Sequence, residues 1–178
     1  MKRVRYQVAC SLDGFIAGPD DDFDWIPPEP TFDFKALYAQ FDTLLMGRRT
    51  WEKVQGFREN FRGKHVIVAS TTLRQEDHPD VEVAGASLEE RIRELRAGTG
   101  GEGADGSDIW LYGGGRLFAQ MLEWGLVDTV EPAILPILLG GGVPFLPAPA
   151  MRQGLTLTGH TAYPGGMVLL EYDVDRQA

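Results

Sequence analysis

Two stretches of this 178-residue chain put glycine and cationic side chains where a strand gives way to a helix. The first is Ile109–Leu122, I-W-L-Y-G-G-G-R-L-F-A-Q-M-L. It reads as a buried strand over Ile109–Tyr112, a turn of Gly113, Gly114 and Gly115, and a helix carrying Leu117, Phe118, Met121 and Leu122 at 3.6-residue spacing. Consecutive glycines remove the β-carbons at that junction, so an anionic ligand can approach the backbone and the free N–H groups of the first helical turn. The same glycines would also serve a tight turn that only lets helix and sheet pack, and the residues alone leave both readings open. The dinucleotide fingerprint of doubly wound folds is absent, because the third glycine and the later acidic residue are not at its spacing.

The second stretch is Leu44-Leu45-Met46-Gly47-Arg48-Arg49-Thr50-Trp51-Glu52. A strand ends, Gly47 turns the chain, and two guanidinium groups and a hydroxyl stand at the head of a helix. Arg48 and Arg49 could equally be a solvated helix face. Two phosphate-compatible junctions in one chain favour a dinucleotide, and an arginine beside a ribose favours the form with a 2′-phosphate, because a guanidinium fork matches a phosphate. A third candidate is Asp13 in Ser11-Leu12-Asp13-Gly14. A carboxylate hydrogen-bonded to a substrate ring would orient it for hydride transfer and assist protonation. An aspartate before glycine also commonly closes an Asx turn at a strand end.

Much other chemistry is excluded. His65, His78 and His160 are scattered without ligand spacing, so no metal site is expected. There is no Gly-x-Ser-x-Gly elbow, and the single cysteine, Cys10, falls inside a strand, which removes nucleophilic acyl transfer. Gly56–Lys64 imitates a nucleotide P-loop, but its spacing is wrong and it precedes a strand. The formal net charge of −9 argues against nucleic acid or an anionic membrane surface as partner. One cysteine allows no intrachain disulfide and fits a reducing cytoplasm. The N-terminus has no apolar run of secretory length. Pro132–Met151 is uncharged, yet its prolines and the run Gly140-Gly141-Gly142 do not suit a membrane span. That segment is instead a candidate interface or a core strand with a proline-rich loop.

The elements that must position these residues follow from pattern. An apolar fraction of 43% in a chain of this length suits one domain over residues 1–178. Val4, Tyr6, Val8 and Cys10 alternate with Arg5, Gln7, Ala9 and Ser11 as a strand, which directs Cys10 to the core. Pro19–Pro30 is a long acidic loop. Thr31 or Asp33 caps a helix through about Gln40 with Phe34, Leu37, Tyr38 and Phe41 on its apolar side. Thr43–Met46 is a strand, Arg48–Val54 a helix, Phe57–Lys64 a basic loop and His65–Ser70 a strand. Val81–Val83 is a short strand, and Ser87 with Glu90 forms a capping box for a helix through Ala97. Gly98–Asp108 is a surface loop. Gly125 ends the central helix, Val127–Leu135 is a strand broken by Pro132, and Leu155–Ala162 with Met167–Val174 forms an antiparallel hairpin. The order implies an α/β domain on a mixed sheet with helices on both faces.

Five motifs in order, Ser11-Leu12-Asp13-Gly14-x-x-Ala17, Leu45–Glu52, Val66–Ser70, Leu111–Leu117 and Pro136–Gly142, resemble the dihydrofolate reductase-like superfamily. The resemblance is strongest to its branch with the reductase domain of bacterial riboflavin biosynthesis and stand-alone "dihydrofolate reductase family" proteins. It implies a three-layer α/β/α fold on a mixed, mostly parallel sheet with a C-terminal antiparallel hairpin. It also implies NADPH as cofactor, a small-molecule substrate, a cytoplasmic location and a homodimer. By position, Gly47, Arg48, Arg49 and Thr50 would hold the 2′-phosphate and pyrophosphate side, and Ser70 and Thr71 would flank the adenosine ribose. Gly113, Gly114, Gly115, Arg116 and Leu117 would bind the pyrophosphate, and Ile16 and Ala17 would line the nicotinamide. Ser11, Asp13 and Trp25 would face substrate, with Asp33 near the place of the acidic residue that holds the pterin in dihydrofolate reductases. The implied activity is NADPH-dependent reduction of a heterocyclic or carbonyl-bearing molecule, similar to the riboflavin-pathway 5-amino-6-(5-phosphoribosylamino)uracil reductase. Alternatives are dihydrofolate reduction or non-catalytic NADP(H) binding. The zinc deaminase motifs of the bifunctional riboflavin enzyme are missing from the chain. Alanine at Gly114 or Gly115 is expected to cost cofactor affinity before it costs the fold.

Overall fold

The computed structural model describes residues 1–98 and 107–176. Most of the expected loop Gly98–Asp108 therefore lies outside the described residues. The first strand, β1 (Val4–Ser11), runs near the middle of an eight-stranded sheet. The others are β3 (Phe41–Gly47), β4 (His65–Ala69), β5 (Glu82–Ala84), β6 (Asp108–Gly113), β7 (Thr129–Leu135), β9 (Leu155–Ala162) and β10 (Val168–Val174). Their spatial order is β5-β4-β3-β6-β1-β7-β10-β9. All pairs from β5 to β7 are parallel, whereas β10 is antiparallel to both β7 and β9. A separate two-stranded ribbon joins β2 (Phe15–Ala17) to β8 (Val143–Pro144).

Helices α3 (Leu88–Ala97) and α4 (Gly115–Glu123) cover one face of the sheet. Their Leu88, Ile92, Leu117, Phe118 and Met121 pack with Tyr6, Leu45, Ile67, Ile109 and Leu111. Helices α1 (Phe34–Ala39) and α2 (Arg48–Val54) cover the other face with a 3₁₀ segment, Gln55–Phe61. There Leu37, Trp51 and Phe61 meet Leu44, Met46, Val66, Val68 and Trp110. The two sets alternate along β3 and β4, and burial on both faces explains why these strands are apolar at nearly every position. This is a three-layer α/β/α arrangement.

Local sequence accounts for most ends. Asp33, not Thr31, caps α1, its Oδ1 accepting from the Ala36 amide at 2.9 Å. Past α4, Gly125 takes φ +64, and the Leu126 amide donates to the Met121 carbonyl at 2.9 Å, a Schellman closure that needs a left-handed residue. Three expectations change. The Ser87–Glu90 capping box does not form: Ser87 sits at ψ 6, outside the extended region of an N-cap serine, and its side chain bonds no helix amide. Phe57–Lys64 is not simply a loop, because Phe61 is buried and the 3₁₀ segment runs to it. Pro132 does not break β7: it pairs with Val8 of β1, and only the ladder to β10 opens, between Leu169↔Ala133 and Tyr172↔Val130.

Tyr6 of β1 stacks on Phe118 of α4 at a centroid distance of 3.9 Å, and Phe145 tilts against both. Phe118 is 2% exposed. Phe118→Ala should therefore lower unfolding free energy by about 3–5 kcal/mol, read from the midpoint of an equilibrium urea titration at unchanged slope.

Candidate functional site

A cavity of about 750 Å³ opens at the C-terminal ends of β1, β3 and β6, the place where an open parallel sheet leaves a crevice between its helices. Its size falls in the roughly 300–1,000 Å³ range of small-molecule and cofactor sites. One side is glycine and cation. Gly47 ends β3, and Arg48, Arg49 and Thr50 begin α2; facing them, Gly113 ends β6 and Gly115, Arg116 and Leu117 begin α4. Helix α2 has only seven residues, so its anion-binding capacity rests on the guanidinium groups more than on its amides. Helix α4 has nine, and its N-cap, Gly114, leaves the first amides without a side-chain partner.

Space at the glycines shows which of them serve the groove. A β-carbon on Gly47 would lie 3.9 Å from the Gly113 carbonyl oxygen, and one on Gly114 would lie 3.6 Å from Thr50 Oγ1 and 3.8 Å from Ile16 Cδ1. Both are ordinary contacts. One on Gly115 would overlap the Pro144 carbonyl oxygen and sit 3.0 Å from that of Phe145. The expectation that Gly115, like Gly114, matters to ligand before fold is thus corrected: Gly115 is glycine because the 144–147 segment rests on it.

The cations on this side are open to ligand. Arg48 contacts Thr72 Oγ1 at 3.3 Å and lies 3.8 Å from Glu52. Among the described residues neither Arg49 nor Arg116 has an ion pair, and both are exposed. Ser70 and Thr71 do not line the cavity. Ser70 Oγ is 3.4 Å from Thr72 Oγ1, so the two continue the shelf that Arg48 reaches rather than form its wall. Ile16 and Ala17 do line it.

The remaining sequence candidates are placed elsewhere. Asp13 is outside the cavity and its carboxylate is fully engaged. It accepts from Ser11 Oγ at 2.6 Å, the Leu139 amide at 3.0 Å and the Gly140 amide at 2.7 Å. The Ser11 hydroxyl and then these two amides hold its pKa down to about 2. Buried Ser11 accepts in turn from the Phe15 amide at 2.9 Å, so the pair ties the end of β1 to β2 and to the 137–140 turn. Trp25 does not line the cavity; its indole donates to the Asp22 carbonyl at 3.2 Å. Asp33 is committed to capping α1.

Instead, the rest of the cavity is built of residues the sequence left unassigned. Gln7 and Ala9 of β1, Trp110 and Tyr112 of β6 and Ala133 of β7 form a floor, with Tyr38 of α1 at its side. The Trp110 ring lies 5.1 Å from Tyr38 and 4.9 Å from Tyr112. Burial pushes the Tyr38 and Tyr112 phenols up in pKa, so both keep their protons at neutral pH. Phe23 and Ile26 from the acidic loop, and Phe32 just after it, line the cavity as well. Glu29 pins that loop: its carboxylate accepts from Thr31 and from the Gly165 amide at 2.9 Å, in the hairpin turn between β9 and β10. The Thr31 hydroxyl, its amide and the Gly165 amide keep Glu29 low in pKa. A usable signal existed in Arg5, Gln7 and Ala9: in a sheet covered on both sides, the polar half of an alternating strand faces the other layer and not water.

Among the described residues, no group of three or more metal-ligating side chains is close enough to hold an ion, and no helix is long and apolar enough to cross a membrane.

Comparison with known proteins agrees with this fold. The RibD C-terminal domain family matches residues 2–169. The Bacillus subtilis (strain 168) protein YyaP is 29% identical over 184 residues, covering 96% of this chain and 94% of its own. A Shewanella sp. PV-4 protein named for riboflavin biosynthesis superposes with a TM-score of 0.80 at 27% identity, covering 98% of this chain and 99% of its own. A Thermotoga maritima diaminohydroxyphosphoribosylaminopyrimidine deaminase/5-amino-6-(5-phosphoribosylamino)uracil reductase shares the fold, with a TM-score of 0.71 at 20% identity. This chain spans 57% of that one.

Two outcomes follow from the geometry. Gly115→Ala should lower the melting temperature, whereas Gly114→Ala should melt as wild type and lose ligand affinity, as thermal unfolding with and without nucleotide will show. Asp13 has a folded pKa of about 2 against an ordinary value of 3.8. Its stabilisation is therefore present above about pH 4 and lost as pH falls toward 2. Asp13→Asn should lower the melting temperature at pH 6, and the gap to wild type should narrow as pH is taken from 4 to 2.

Proposed function

The chain belongs to the RibD C-terminal domain family, and on that premise we propose that it is an NADPH-dependent reductase of a small heterocyclic or carbonyl-bearing substrate. The observation that carries the reading is the pair of exposed guanidinium groups, Arg49 and Arg116, which have no ion pair among the described residues and stand on facing sides of a glycine-walled groove. In a protein of net charge −9, cations left unpaired around bare backbone suit a ligand that brings several phosphates.

The residues present fit that cofactor. Arg116 and the amides at the start of α4 would hold the pyrophosphate, with Gly113 and Gly114 leaving room for it. Arg48, Arg49 and Thr72 would take the 2′-phosphate, and Ile16 and Ala17 would lie against the nicotinamide. The reduced cofactor would supply a hydride. The chain's own part is to hold the acceptor ring over the floor of Gln7, Ala9 and Trp110, and to exclude water by closing Phe23, Ile26 and Phe32 over it. Tyr38 and Tyr112 remain protonated there and share a side-chain hydrogen bond with each other. Asp13 acts through the backbone it ties together and not by proton transfer, since a carboxylate held near pKa 2 stays ionised at neutral pH. Dihydrofolate reduction is the weaker alternative, because Asp33, which that chemistry would need, is engaged as a helix cap outside the cavity.

NADPH at one hundred times its dissociation constant should raise stability by about 2.7 kcal/mol, seen as an upward shift in melting temperature well beyond that with equimolar NADH. Arg49→Ala should reduce the NADPH shift and leave the NADH shift nearly unchanged. Equal shifts with the two nucleotides, or none, would overturn the reading.

A further inference from the structure

Residues 18–32 leave the end of β2 and rejoin the fold at Asp33, the cap of α1, so the segment is fixed at both ends. Between those points Phe23, Ile26, Glu29 and Phe32 line the cavity. Its first part is a closed turn: the Gly18 amide donates to the Asp22 carbonyl at 2.9 Å, the Trp25 indole donates to the same oxygen at 3.2 Å, and Asp21 takes φ +58. This turn rests lightly on the α2 side. Lys53 donates to the Asp20 carbonyl at 3.4 Å, and Phe23 meets Phe57 edge-on at a centroid distance of 6.4 Å. Both rings stay exposed, so little apolar burial holds them there.

The other attachment is Glu29. Pro27, Pro28 and Pro30 restrict the backbone around it and so present its side chain from few conformations. The Thr31 amide and hydroxyl hold Oε1, which leaves Oε2 to accept from the Gly165 amide at 2.9 Å, in the turn between β9 and β10. Phe32 stands 5.5 Å from Tyr163 in the same turn. The two glycines of that turn differ. Gly166 takes φ +87, which glycine alone adopts easily, whereas Gly165 has no such conformation. A β-carbon on Gly165 would instead overlap Glu29 Oε2, so the position is bare because the carboxylate lies against it. The hydrogen bond is exposed to solvent, and water can replace the Gly165 amide at little cost.

We propose that residues 18–32 form a lid on the cavity and that the Glu29 carboxylate on the Gly165 amide is its latch. With the contact made, Phe23, Ile26 and Phe32 stay at the cavity; with it broken, the segment turns about its ends at Ala17 and Asp33 and opens the floor to solvent. The inference goes beyond the reductase reading and does not depend on which molecule the cavity takes. Glu29 is a positioning residue here, acting through the segment that carries it.

The test puts a thiol on the floor with Ala133→Cys and uses the buried Cys10 of β1, in the same molecule, as the control for loosening of the sheet. Ala9→Cys, also on the floor, serves should the first thiol unfold the chain. Methyl methanethiosulfonate is applied to the full chain, free and with saturating NADPH, and mass spectrometry follows each cysteine. In this background Glu29→Ala should speed labelling of the floor thiol about tenfold and leave Cys10 unchanged. Gly165→Ala, which alters the other partner, should do the same, and Glu29→Gln, which keeps an acceptor, should stay within about threefold of the unaltered latch. Chymotrypsin should also nick Glu29→Ala faster at Phe23 and Trp25. The lid is overturned if the floor thiol labels at an unchanged rate in both Glu29→Ala and Gly165→Ala, or if Cys10 labelling rises in step with it. Should NADPH fail to bind, the free chain still decides the lid, and the cofactor reading alone falls.

Discussion

The carbonyl oxygen of Pro144 occupies the place where a side chain on Gly115 would have to be, and that of Ala17 the place of a side chain on Gly142. These close backbone approaches hold the second half of the site. They let the β2–β8 ribbon lie between the end of β1 and the start of α4, with the Phe145 amide donating to the Gly14 carbonyl at 2.9 Å. Phe145 can then close on Tyr6 and Phe118, so the aromatic packing beneath the central helix depends on the same contacts. Asp13 works in the same system: its carboxylate gathers the amides of Leu139 and Gly140 just where the chain leaves β7 on its way to β8. Two glycines and one carboxylate thus set the distance between the wall carrying Ile16 and Ala17 and the wall carrying Gly113 and Gly114.

An anion site in an acidic protein needs cations that are not already neutralised. Elsewhere in the described chain the guanidinium groups are largely engaged: Arg5 with Glu131, Arg91 with Glu82, Arg96 with Asp128. These pairs are partly buried and fasten β1, α3 and the sheet edge; they hold structure and offer nothing to a ligand. At the groove the pattern reverses, because Arg49 and Arg116 stand on helix starts whose neighbouring residues are glycines. The glycines keep the backbone bare and supply no acid, so the fold concentrates positive potential where it has removed side chains.

The parts of the fold that could be read in the sequence are those decided within a few residues. Strand β4 is β-branched at Val66, Ile67 and Val68, α2 follows directly on Gly47, and the hairpin β9–β10 is joined through Tyr163-Pro164-Gly165-Gly166. Tertiary contacts decided the rest. Pro132 lies within an interior strand because only the β10 side of its ladder opens, which depends on register with a strand more than thirty residues away. The Ser87 cap fails because the preceding turn sets its ψ near zero. Of the site, the glycine and arginine residues were legible because their chemistry is local: a junction of strand, glycine and cation can be recognised without its neighbours. Gln7, Trp110 and Tyr112 were not, since their role comes from three strands meeting under α1, and each alone reads as an ordinary strand residue.

This difference bears on how the two halves of the cavity divide the work. A phosphate seat is a backbone feature, so any sequence that keeps the glycines and a nearby cation keeps the seat. The half of the cavity away from the arginines is assembled from side chains on elements held by other contacts: β1 keeps its register through the ladders to β6 and β7, and the acidic loop is pinned at Glu29 and Gly165. In the proposed reading, recognition of the phosphates is accordingly the fixed property of this architecture and recognition of a substrate the variable one. Family membership therefore informs the first far more than the second. What this chain would accept beside such a cofactor must be read from its own floor, where the buried side-chain oxygen of Gln7 has no hydrogen-bond partner.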